Sequence, residues 1–154
     1  MLTRTPKPRR DDIEELDPQE ALVCTMVMMA AADGHGISDR EIGVMSALVQ
    51  TLPIFQGFES ERLDVATDTA IKLLRDEEGL AVMGELVRTA LEPRLRETAY
   101  GLACEVVAAS REHGESTLRM LELVMLELEL DPLVAAAIER GTRARYQPLR
   151  RIPG

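Results

Sequence analysis

Apolar residues recur along this chain at intervals of three and four, the period of an α-helix, and the patterned stretches are separated by Pro, Gly and capping signals. Asp17-Pro18-Gln19-Glu20 supplies an N-cap, a proline at the first helical position and a Glu three residues after the cap. A helix is therefore expected from residue 18 to about 32, closed by Gly34 and Gly36. Ser38-Asp39-Arg40-Glu41 is a capping box, and Ile42, Met45, Leu48, Val49 and Leu52 follow at helical spacing up to Pro53. These two helices form a hairpin with a short turn. Leu63, Ala66, Ala70, Leu73 and Leu74 mark a helix over about 59–75, and others are expected over about 77–91 and, opened by Pro93, about 93–110. Leu118, Leu121, Met125 and Leu128 line one face of the next, and Asp131-Pro132 starts a last helix running to about 146. Leu126-Glu127-Leu128-Glu129-Leu130 alternates like a strand, but Leu and Glu are helix formers and β-branched residues are scarce, so the segment is read as helix.

His35-Gly36-Ile37-Ser38 and His113-Gly114-Glu115-Ser116 share H-G-x-S at an offset of 78 residues. The same offset pairs Met26 with Cys104, Met29 with Val107, Ile42 with Met120, Met45 with Leu123 and Leu48 with Leu126. In both copies the first helix is apolar nearly all round, as a helix wrapped by others must be. The expected fold is all-α: a single-domain bundle of about seven helices in which two helical hairpins are related by a pseudo-two-fold axis, with their first helices central. A basic tail over 1–10, a domain over 11–146 and a second basic tail over 147–154 complete the organisation.

Composition changes this picture in two respects. Aromatic residues make up 3% of the 154 residues with no Trp, so the core has to be aliphatic. Of the 18 Lys and Arg, nine lie near the ends (Arg4, Lys7, Arg9, Arg10, Arg140, Arg143, Arg145, Arg150 and Arg151). All 27 acidic residues fall between Asp11 and Glu139, which leaves the body at −18 within a net charge of −9. Such a body repels nucleic acid and oxyanions and attracts cations or basic partners, and it also serves simply as a solvated surface. The apolar run over 21–32 is too short for a ~30 Å bilayer core, and the basic start lacks an apolar signal region, so no transmembrane or secretory segment is expected.

The chemistry-bearing residues gather at the hairpin turns. Asp33, Asp39 and Glu41 surround a Gly-rich turn, and clustered carboxylates there supply oxygen ligands of the kind hard cations take. An EF-hand is excluded, because counting from Asp33 its glycine position is Ser38 and its twelfth position Val44. Asp39 and Glu41 also suit a first helical turn, with Glu41 the box partner of Ser38. His35 and His113 are candidate zinc ligands, or polar residues that tolerate turn geometry. Cys24 and Cys104 lie in apolar helices and are expected to be inert thiols in a reducing cytoplasm. No phosphate loop, G-x-S-x-G or H-E-x-x-H is present, and no catalytic activity is expected.

Ala30-Ala31-Ala32-Asp33-Gly34, then Ile37-Ser38-Asp39-Arg40-Glu41, resembles the A-x-A-D-G and I/V-S-x-x-E elements of the TerB-like family, with one extra residue in the turn. That family is named for tellurite resistance and is related to the amino-terminal region of a membrane-anchored J-domain co-chaperone. The second copy, Ala108-Ala109-Ser110-Arg111-Glu112-His113-Gly114-Glu115-Ser116, lacks the Asp-Gly pair, while Leu128-Glu129-Leu130-Asp131 is similar to the family's L-G-L-D/S ending. The resemblance covers residues 18–139. It implies a non-enzymatic stress-response module, cytoplasmic or peripheral at the membrane, that docks to partner proteins. It also implies a divalent cation (Ca²⁺, Mg²⁺ or Zn²⁺) at Asp33, Asp39 and Glu41, with Glu112 and Glu115 at nearby places in the second copy. The alternative is a purely structural interaction domain without a metal site.

Overall fold

The structure, a computed structural model, describes residues 15–110 and 114–149. The basic segment 1–10, residues 11–14, Arg111, Glu112, His113, and Arg150 and Arg151 of the second tail lie outside the described residues. Seven α-helices are present among those described: α1 (Pro18–Ala30), α2 (Asp39–Thr51), α3 (Ser60–Arg75), α4 (Gly79–Ala90), α5 (Pro93–Ala109), α6 (Glu115–Glu127) and α7 (Pro132–Arg145). A 3-10 turn, Pro53–Phe55, follows α2.

The capping chemistry read from the sequence forms. The Glu20 N–H donates to Asp17 Oδ1 at 2.8 Å while Glu20 Oε1 accepts from the Asp17 N–H at 3.1 Å. Ser38 and Glu41 exchange the equivalent bonds at the start of α2, at 3.2 and 3.0 Å. Asp131 accepts from the Leu133 N–H at 2.7 Å and starts α7. Helix α4 begins two residues later than its pattern suggests. A Cβ at Gly79 would lie 1.8 Å from the Leu73 carbonyl oxygen, so the chain passes too close to the end of α3 for any residue but glycine. The alternating Leu126–Leu130 segment is the end of a helix followed by a turn: α6 stops at Glu127, and Glu129 takes a left-handed φ of 55°.

All ten residues from Ala21 to Ala30 of α1 are buried, including Thr25, whose hydroxyl donates to the Ala21 carbonyl at 2.9 Å. Helix α5 buries Leu95, Ala99, Tyr100, Leu102, Ala103, Cys104, Val106 and Ala109 and packs against α1 along the centre of the bundle. The surrounding helices pair in a repeating way. Helix α1 packs on α3 as α5 packs on α7, whereas α2 lies mainly against α5 and α6 reaches α1. Helix α4 covers α1, α3 and α6 and stands outside the repeat.

The register of the repeat differs from the H-G-x-S match. Helices α2 and α6 each have 13 residues and begin at 39 and 115, an offset of 76. Ser38 is the N-cap of α2, but Ser116 lies inside α6, whose N-cap is Gly114. At the offset of 78 Met45 pairs with Leu123, yet Met45 is 2% exposed and Leu123 40%. At 76 the faces agree: Glu41 and Thr117 are both buried, and Ile42 and Leu118 are 51% and 54% exposed. The connection before α6 is shorter than that before α2, and the inward face of a helix, rather than the identity of a turn residue, fixes its alignment.

Candidate functional site

The acidic turn between α1 and α2 is built on two left-handed glycines, Gly34 at φ 77° and Gly36 at φ 80°, which let the chain reverse within a few residues. Asp33 spends Oδ1 on the His35 N–H at 2.9 Å, and the His35 ring is exposed. Glu41 is buried, and its Oε1 accepts from both the N–H and the hydroxyl of Ser38, at 3.0 and 2.8 Å. Asp39 is exposed in the first turn of α2, where the helix dipole favours negative charge. In the second copy Glu115 pairs with Arg119 at 2.6 Å on the surface, while Glu112 and His113 lie outside the described residues. Among the described residues no group of three or more His, Cys, Asp and Glu side chains is placed to hold a metal ion. Cys24 and Cys104 are buried and unpaired with each other, and desolvation pushes both thiols up to about 12.

The concave features lie elsewhere. A groove of about 470 Å³ runs between α2 and α3, lined by Ile42, Met45, Asp64, Thr67, Asp68 and Ile71 together with Ile37 and Leu63. A second, of about 440 Å³, lies beside α5 between α6 and α7, where Leu118, Leu121, Glu139, Thr142, Arg143 and Tyr146 form its wall. The two linings correspond in order. Ile42 and Met45 match Leu118 and Leu121 at the α2–α6 offset of 76. Asp64, Thr67, Asp68 and Ile71 match Glu139, Thr142, Arg143 and Tyr146 at an offset of 75 between α3 and α7. Each groove is thus the gap between the second and third helices of one copy. They differ in charge, because the place of Asp68 is taken by Arg143.

A polar seam joins α5 to α7 beside the second groove. Glu105, in the C-terminal half of α5, is 4% exposed. Arg145 reaches its Oε1 as an ion pair and the Tyr146 hydroxyl donates to Oε2 at 2.6 Å. The Tyr100 hydroxyl donates to Glu139 Oε1 at 2.5 Å. Burial and the Glu105 hydrogen bond push the Tyr146 phenol up to about 12, so it remains a neutral donor at ordinary pH. The end of α7 is tied to α5 through charged hydrogen bonding.

Sequence periodicity does not reveal the grooves, since residues lining a gap between helices are neither fully apolar nor fully polar. A repeat search allowing a shorter second turn would have found them, through Thr67 with Thr142 and Asp64 with Glu139. Comparison with protein-family models, with curated proteins and with solved structures gives no match to this chain.

Proposed function

We propose that this chain is a TerB-like, non-enzymatic module of the stress-response type that docks segments of partner proteins in its interhelical grooves. The observation that supports this reading is the recurrence of one groove in both halves, with six lining positions in register and Asp68 with Arg143 the one pair of opposite charge. Grooves of ~300–1,000 Å³ lined by apolar side chains and a few polar groups are the usual form of a binding site. Buried and inert thiols argue against a redox role. The resemblance gains support from Glu129, whose left-handed backbone falls where the L-G-L-D ending carries glycine. A stress-response setting and a place at the cytoplasmic face of a membrane rest on the resemblance alone and belong to this proposal. No helix among the described residues is long and apolar enough to cross a membrane.

Selection of binders from a random peptide library, followed by amide chemical-shift mapping of the enriched peptides on the full chain, tests the reading. Shifts concentrated at Ile42, Leu63, Thr67 and Ile71, or at Leu118, Leu121, Thr142 and Tyr146, are expected. No enrichment, or shifts confined to surfaces outside both grooves, would overturn it.

A further inference from the structure

Resting on the docking reading, we propose that the α2–α3 groove binds a basic amphipathic helix, with its apolar face on Ile42, Leu63 and Ile71 and its Lys or Arg residues against Asp64 and Asp68. Three observations converge on that occupant. The groove floor is aliphatic, and Ile42 keeps half of its surface in solvent within it, an area a bound apolar side chain would cover. One wall carries Asp64 and Asp68, a single helical turn apart and exposed. Among the described residues neither carboxylate forms an ion pair: Arg62, the base nearest Asp64, is held by Asp17 at 2.7 Å and stacked over Phe58, and Lys72, the base nearest Asp68, lies one turn further along α3 without pairing to it. Two like charges at this spacing weaken their own helix slightly, and two basic residues one turn apart on a bound helix would neutralise both.

The fold narrows the mode of recognition. The described residues contain no strand whose edge a peptide could extend, and the groove has no aromatic side chain of the kind that grips a polyproline segment. A helix laid in the gap between two helices remains. Of the two grooves only this one favours basic charge, since in the other Arg143 lies one turn from Glu139 on α7 and cancels its charge.

The test uses two fluorescent helical peptides about four turns long with the same Leu face, one flanked by Lys and the other by Glu. Both are titrated into the full chain at low salt, with amide shifts recorded. The Lys peptide should bind at least tenfold more tightly and shift Ile42, Leu63, Thr67 and Ile71. Replacing Asp64→Asn with Asp68→Asn should weaken it about tenfold, on the scale of two surface ion pairs. Asp76→Asn with Glu77→Gln, a control pair outside the groove, should change it less than twofold. Equal binding of the two peptides in this groove, or equal losses from the two double variants, overturns the inference and leaves the docking reading standing. Shifts at Leu118, Leu121 and Tyr146 instead do the same. Binding of neither peptide overturns the inference, while the docking reading is then judged by the library selection.

Discussion

Glu129 shows how a single residue can hold a conformation its chemistry disfavours. Its N–H donates to the Leu126 carbonyl at 3.0 Å and the Leu130 N–H to the Met125 carbonyl at 3.3 Å, the paired bonds of a Schellman ending for α6. That ending needs a left-handed residue, and a side chain costs about 1 kcal/mol there relative to glycine. Nothing strong offsets the cost: Arg88 and Arg96 approach Glu129 only to 3.9 Å, and Arg88 is already bonded to Glu127 at 2.7 Å. Glu129→Gly should therefore raise stability by about 1 kcal/mol, or a few degrees in melting temperature. A urea titration in which the variant is no more stable than the parent would show that the Glu129 contacts matter more than the backbone.

At the scale of elements, the two central helices carry the fold by different means. Helix α1 is buried on every side from Ala21 to Ala30, so each large side chain there fills space that solvent hardly reaches. Helix α5 buries apolar residues along most of its length but also Glu105, which ties it to the end of α7. Met29→Ala and Leu102→Ala each remove a fully packed side chain and should cost about 2–5 kcal/mol. Leu133→Ala, on a side chain 81% exposed, should stay within about 0.5 kcal/mol. Denaturant midpoints for the three variants decide the matter, and equal midpoints would mean that α1 and α5 are not the packing centre.

Over the whole molecule, net charge −9 creates a field that draws cations without a built site, so nonspecific screening has to be separated from ligation. Asp33 and Glu41 each give a carboxylate oxygen to their own turn, which leaves a poor donor set for a hard cation. The melting temperature at a matched ionic strength of about 0.15 M should accordingly be the same in chelator as in millimolar Ca²⁺, Mg²⁺ or Zn²⁺. Specific binding at a hundredfold excess over Kd would instead add about 2.7 kcal/mol. A rise of several degrees that vanishes in Asp33→Asn with Glu41→Gln would establish the cation site.

Local chemistry was legible in the sequence. Caps at Asp17, Ser38 and Asp131 act within three residues of themselves, and helical periodicity reports burial one helix at a time, so all seven helices and the two central ones could be read before any packing was known. The H-G-x-S match misled because it compares turn residues, whereas the alignment of α2 with α6 is set by which face each turns toward α5 and α1. That choice belongs to the tertiary structure. So do the grooves, whose walls come from residues up to 44 apart in number, such as Cys104 and Pro148, and whose different charges depend on which residue of α3 or α7 faces the gap. A residue's neighbours along the chain determine its helix, but only the packed bundle determines what it lines.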